Sequence, residues 1–410
     1  MRAGRKMYTV TIAKGKEAIL LKHNPWVFSG AIGKTSPAFT DAGLATVVSE
    51  AGLFIAYGWL DMKSHTVLHL LSWDEDVIPD DEWLKKTIAK AVETRKDLVG
   101  EDTSAIRLVH GEADFIPGLV VDRYEREARV IISSRYAADH LETIWKTLFH
   151  VCDIEHVFIS VDRTHAGLEG LRSFTRSIDR NGNEVTPVDQ VLFRESGIWY
   201  AIDSGIGQKS GFYCDQRDNR NIIERYARGR KVFDVCSFTG AFTLHCLRGG
   251  AESVLAVDSS ETVLRHLLYQ IHLNEDRGSL PPSSRDRVAT MKADVFTFLR
   301  QLEEGQADMI ILDPPKLAPS RSHIKEAMKG YKDINRLAME KIAAGGIVAS
   351  FSCSGSVSRE DFRMAIAWAA ADAHVDIQIL EQLSAGADHP VRLSLPETEY
   401  LKGFVYRVVK

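Results

Sequence analysis

The chain has 410 residues, 45% of them hydrophobic and 26% charged, with a formal net charge of −5 and five cysteines. That length exceeds one ordinary core and predicts two or three domains of a globular protein. No apolar run approaches a membrane span, no long apolar stretch follows the basic N-terminus as in a secretory signal, and five cysteines without CxxC spacing argue against a disulfide framework or a structural zinc site. A reducing cytoplasm is expected, with no membrane and no metal.

Residues 1–75 read as short strands broken by turns, among them Tyr8–Ile12, Ala45–Ser49 and Leu53–Leu60, and predict a small β-barrel. The acidic Asp74-Glu75-Asp76, with Pro79, marks a boundary. Residues 76–190 predict a central α+β domain. It has a helix over 82–98, strands at Ile106–Val109, Leu119–Tyr124 and Ala128–Ile132, a helix over Ala138–Phe149 and a strand at Val157–Val161. The polar Asp179–Asn183 stretch reads as a turn. Residues 191–410 alternate strand and helix, the pattern of an α/β domain with a parallel sheet. Its strands are Lys231–Val235, Ser253–Asp258, Ala289–Lys292, Met309–Leu312 and Ile347–Phe351. Asp376–Glu381 and Gly403–Val409 close it, the last antiparallel.

Charge is unevenly spread. Residues 1–40 hold seven lysines and arginines against Glu17 alone. A second basic stretch runs from Lys209 through Arg217 and Arg220 to Lys231, and a third from Lys316 through Lys325 and Lys332 to Arg336. Each alone is ordinarily a solvated helix face. Three together favour a polyanionic partner such as RNA, with Lys209 and Lys316 beside the expected pocket.

Asp234-Val235-Cys236-Ser237-Phe238-Thr239-Gly240 joins a strand to a helix without the GxGxxG fingerprint that cradles a pyrophosphate. A ligand without phosphates, such as S-adenosylmethionine, needs less bare backbone there. Asp258, ending the next strand, suits the ribose hydroxyls. Asp294 suits the adenine amino group, with Val295 against the ring; a helix N-cap is the plain alternative for Asp294. Acids at successive strand ends followed by Asp313-Pro314-Pro315 resemble the class I methyltransferase fold. Lys316 stands where nitrogen-directed enzymes carry an aromatic residue, which disfavours methylation at nitrogen.

Cys353, in Ser352-Cys353-Ser354-Gly355, ends the strand after that of Asp313, so thiol and carboxyl face one crevice. A thiolate adding to carbon 6 of cytosine activates carbon 5 for methylation. A protonated Asp313 would donate to ring nitrogen 3, which requires a raised pKa. Lys316 is one candidate for stabilising the thiolate. The plain alternative for Cys353 is a small buried hydrophobe.

With these residues, and with Asn24–Ile32, Gly211–Arg220, Tyr331–Arg336 and Asp313–Ser320, the chain resembles the RlmI-type large-subunit rRNA (cytosine-5)-methyltransferases over nearly its whole length. The resemblance implies an N-terminal PUA-like RNA-binding β-barrel, a central α+β domain, and a C-terminal Rossmann-like domain binding S-adenosylmethionine. It implies Cys353 as nucleophile with Asp313 as partner. It places Asp234, Ser237, Gly240, Phe212 and Arg217 at the cofactor. Arg217 pairs there with the methionine carboxylate or forms a structural salt bridge, and Phe212 covers the cofactor or fills the core. The expected partner is 23S rRNA, and a homodimer is compatible with the sequence. The rival readings are a base-nitrogen RNA methyltransferase of the same fold and a catalytically inactive RNA-binding assembly factor. No role is assigned to the stretch 277–287.

Overall fold

A computed structural model describes residues 7–161, 166–167, 169–203, 211–318 and 320–410. The first unit is a six-stranded sheet in which Tyr8–Ile12 pairs parallel with Gly43–Val48 and antiparallel with Ile32–Ser36. Val10, Val47, Ala56 and Leu68 lie in its core. Ile32–Ser36 and Leu68–Ser72 extend the three strands expected there. The second carries no polar–apolar alternation because every residue in it is buried.

The helix expected over 82–98 is shorter, Asp81–Glu93. Asp80 starts it, accepting from Trp83 N at 2.9 Å, an arrangement worth about 1 kcal/mol. The central sheet orders Ala105–His110, Leu119–Tyr124, Glu127–Ile132, His156–Val161, Phe174–Asp179 and Glu184–Val185 as in the chain. Asp179 shapes the last turn by accepting from Asn181 N and Asn183 N at 2.9 and 2.8 Å. The helix expected over Ala138–Phe149 is two, Arg135–Asp139 and Leu141–Val151. They part at buried His140, whose ring donates to Tyr136 O at 2.8 Å and packs 4.9 Å from Trp59.

A hairpin of Gln190–Glu195 and Ile198–Asp203 leads into the last unit. Its sheet has seven strands, ordered Val288–Lys292, Ser253–Asp258, Lys231–Val235, Ala307–Leu312, Ile342–Ser352, Lys402–Val409 and Asp376–Ser384. The first five are parallel, and Lys402–Val409 is antiparallel to both neighbours. Met309, Ile310, Ile311, Val348 and Ala349 are fully buried, as strands covered on both faces must be. The winding reverses between Lys231–Val235 and Ala307–Leu312. Ligands of open α/β sheets bind beyond the carboxyl ends at such a point. The antiparallel strand runs backwards, so its first residue, Lys402, pairs with Ser352 at that same edge.

The 277–287 stretch folds back on the domain. Leu280 and Ser284 are buried, Arg277 lies 4.1 Å over the Trp199 ring, and Arg287 donates to Ala251 O at 2.8 Å. Among the described residues, no helix is long and apolar enough to cross a membrane, and no group of three metal-ligating side chains could hold an ion.

Candidate active site

The turn after Lys231–Val235 is held in an unusual backbone conformation. Cys236 and Phe238 adopt φ of +65° and +49°, and Gly240 follows at +84°. A Cβ on Gly240 would stand 2.3 Å from Leu267 Cγ, so the position requires glycine on both conformational and steric grounds. Left-handed non-glycine residues cost about 1–3 kcal/mol each and persist where surrounding structure enforces them. Here Asp258 enforces it, accepting from Phe238 N at 3.0 Å and from Ser260 N at 2.9 Å. Ser237 N donates to Val257 O, adding a second tie.

Asp234 is fully buried and accepts from Thr243 Oγ1 at 2.7 Å. Burial pushes its carboxyl up to about 6. Asp313 follows the Ala307–Leu312 strand and accepts from Gln216 Nε2 at 3.1 Å; Gln216 Oε1 in turn accepts from Asn219 Nδ2. Burial, then the neighbouring charge of Asp215, pushes the Asp313 carboxyl up to about 7, against the Gln216 bond. Cys236 feels Asp313, Asp258, Asp234 and Asp294 together, so acids from four strand ends surround one crevice.

Cys353 lies in that crevice. Its Sγ sits 4.0 Å from the Pro314 carbonyl, and the Tyr213 phenol feels both Asp313 and Cys353. The two loops are pinned together. Tyr331 Oη accepts from Ser352 Oγ at 2.9 Å and lies 3.0 Å from Ser354 Oγ, which accepts from Ala318 N at 3.2 Å. Lys402, wholly buried, donates to Ser354 O at 2.8 Å and to Val357 O. Burial lowers its ammonium to about 8, and Cys353 is one of the groups that holds it up. Lys402 and the thiol therefore feel each other's charge, whereas Lys316 is exposed. Lys209 lies outside the described residues.

Arg217 and Phe212, each expected at the cofactor or in the framework, have protein partners. Arg217 is buried and paired with Asp388 through both terminal nitrogens, at 3.1 and 3.0 Å, with Nε turned to Asp218. Of its two readings, the geometry favours the structural salt bridge. Phe212 packs on Phe193, Tyr200 and the Arg220 guanidinium, and so fills the core. Asp294 is an N-cap, accepting from Thr297 N at 3.0 Å through one oxygen, with half-buried Val295 beside it. Sequence reasoning missed Tyr213, Asp215, Gln216, Tyr400 and Lys402. The first three stand beside Arg217 in the Gly211–Arg220 stretch, where its charge drew the choice. Tyr400 donates to Asp215 Oδ2 at 2.6 Å, a long-range pairing with no sequence signal.

Around the crevice, three buried polar atoms have no hydrogen-bond partner among the described residues: Asp234 Oδ1, Ser237 Oγ and Asp215 Oδ1. Buried polar atoms are ordinarily satisfied. These three border the strained turn and Asp313, where an amino-acid and nucleoside ligand would supply partners, so the residues present fit S-adenosylmethionine.

Comparison with known proteins agrees. Residues 10–73 match a PUA-like domain, and residues 178–390 match the S-adenosylmethionine-dependent methyltransferase family. The chain is 35% identical to the ribosomal RNA large subunit methyltransferase I of Tolumonas auensis, covering 98% of this chain and 99% of that protein. It is 34% identical to the protein of the same name from Aeromonas salmonicida, covering 97% and 98%. A solved Streptococcus mutans structure, described as a candidate methyltransferase, superposes with a TM-score of 0.79 at 19% identity, covering 98% of this chain and all of that one. A second solved structure, of a candidate methyltransferase complexed with SAH, gives the same score at 20% identity and shares the fold. The chain therefore belongs to the ribosomal RNA large subunit methyltransferase I family, S-adenosylmethionine-dependent methyltransferases that carry here an N-terminal PUA-like domain.

Proposed function

We propose that the protein methylates carbon 5 of a cytosine in large-subunit rRNA through a covalent adduct at Cys353. The observation that carries this reading is the shared crevice of Cys353 and a proton-retaining Asp313. The Cys353 sulfur adds to carbon 6 while Asp313 donates its proton to nitrogen 3, so charge does not build on the ring. S-adenosylmethionine, when bound, supplies the methyl group that carbon 5 then accepts. Loss of the carbon-5 proton to a base, departure of the sulfur as thiolate and return of the nitrogen-3 proton to the Asp313 carboxylate restore the aromatic ring. The target base must be unpaired or flipped to reach the crevice.

Asp258 and Asp294 each keep acceptor capacity for ribose and adenine beyond the backbone bonds described. Asp234, Ser237 and the Gly240 turn line the methionine end. Lys402 positions the Cys353 loop and favours the thiolate by its charge. Residues 1–75 form the unit that grips the RNA backbone, 76–190 the spacer and 191–410 the catalytic unit, with Lys316, exposed beside Pro315, facing the incoming strand.

RNA carrying 5-fluorocytidine at the target should form a stable adduct with the wild type and none with Cys353→Ala. Cys353→Ala should lose methyl transfer on the order of a thousandfold or more. Normal transfer by that variant would remove the covalent step and return the choice to a nitrogen-directed mechanism.

A further inference from the structure

A cleft of about 590 Å³ opens where the barrel, the central domain and the C-terminal loop meet, away from the crevice. Trp73 leaves the Leu68–Ser72 strand into it, and His23 stacks on Trp73 at 4.8 Å with only 8° between the rings. Trp83, Lys86, Thr87 and Lys90 line the opposite wall. They sit three and four residues apart on Asp81–Glu93, and so form one stripe. Phe115 completes the lining, the residue 48% exposed and its backbone left-handed at φ +64°. The Arg392 guanidinium lies over both Phe115 and Trp73, at 4.5 and 5.3 Å. It also donates to His23 O and to Glu112 O, which ties the C-terminal loop to both walls.

On the same helix Lys85 is paired with Glu82, and the nearby Lys96 with Glu93. Lys86 and Lys90, turned to the cleft, have no ion-pair partner among the described residues. The lining holds one acid, Asp74, whose Oδ1 already accepts from Asp76 N. Aromatic rings backed by a guanidinium, with two uncompensated ammonium groups beside them, suit a flat heterocycle carrying phosphate. A peptide would leave both ammonium groups uncompensated unless it were acidic.

We propose that this cleft is a second RNA site, which holds one unpaired nucleotide of the substrate. Its base stacks beside Phe115 and the His23–Trp73 pair, and Lys86 and Lys90 contact the flanking phosphates. The inference rests on the RNA-methyltransferase reading above and adds to it a place where strand outside the target is gripped.

The test uses the full-length protein and fluorescein-labelled oligouridylate of about 12 nucleotides, within the range of single-strand sites. Anisotropy is read across a salt series. Lys86→Ala with Lys90→Ala should weaken binding about tenfold at low salt and flatten the log–log salt slope by about 1.4, two phosphate contacts' worth. Phe115→Ala should weaken binding about five- to tenfold with the slope unchanged, because a stack carries no counterion release. S-adenosylmethionine affinity should be unchanged in all variants, which separates these effects from misfolding. Wild-type affinity and slope in both variants would overturn the inference while leaving the methyltransferase reading intact. Retained RNA binding with lost capture of an acidic ribosomal protein would overturn it in favour of a protein partner. A wild type that neither binds oligouridylate nor methylates rRNA would overturn both.

Discussion

Asp313 and Cys353 must hold opposite ionisation states to act on one base, and the surroundings of Asp313 keep its proton on. Burial and the charge of Asp215 raise Asp313 to about 7. Its proton, needed at ring nitrogen 3, is therefore present below about pH 7 and lost above it. Methyl transfer should decline on that alkaline side. Asp215→Asn removes the like charge, lowers the Asp313 pKa and should shift the decline to lower pH; an unmoved limb in the pH–rate profile would detach Asp313 from it. Lys402 remains a cation below about pH 8. It is faced by Glu399, Asp361 and Arg359 as well as by Cys353, while Tyr213 and Tyr331 face the thiol. Lys402→Met should move alkylation of the Cys353 peptide by iodoacetamide to higher pH, and Lys402→Arg should restore most of it. An unchanged alkylation profile in Lys402→Met would leave Lys402 a purely structural anchor.

At the scale of elements, Arg217 opens the helix Arg217–Ala227 and reaches across to the loop of Asp388. Desolvating both charges costs several kcal/mol, and the bidentate pair offsets it; removing one partner strands the other. Arg217→Ala should destabilise the protein by about 3–5 kcal/mol in denaturant unfolding, with the cofactor affinity of the folded fraction little changed. Loss of that affinity at unchanged stability would return Arg217 to the methionine carboxylate. The same pair shows what the sequence conceals. Strand-end acids, Asp313-Pro314-Pro315 and Cys353 are legible because apolar runs mark the strands and parallel winding brings their carboxyl ends together. Asp388 meets Arg217, and Lys402 meets the Ser354 and Val357 carbonyls of the Cys353 loop, through contacts between distant segments that no local pattern records. The strand Leu68–Ser72 is hidden for a related reason: complete burial removes the alternation that would reveal it.

Across the whole molecule, the three units are stitched through a few buried cations. Arg95 donates to the Asp388 carbonyl at 3.1 and 3.0 Å while paired with Asp114, and Arg107 N donates to Asp388 Oδ2 at 3.0 Å. The central domain is thus fastened to the loop that holds Arg217 and, four residues on, Arg392. Such shared fastening predicts one cooperative calorimetric transition rather than three. S-adenosylmethionine at a hundredfold its dissociation constant should raise stability by about 2.7 kcal/mol across that single transition. A barrel melting separately, at a temperature indifferent to the cofactor, would show the units to be energetically independent.

None of the five cysteines is disulfide-bonded, and two of them open onto the crevice. Cys236 sits among four carboxylates that, with burial, hold its proton on, whereas Cys353 has an ammonium neighbour. Electrophiles and oxidants entering from solvent therefore meet one sulfur held in its protonated form and one with an ammonium nearby within a single cavity. The acids around the crevice thus double as a shield, steering inactivating chemistry away from the turn on which the fold of the site depends.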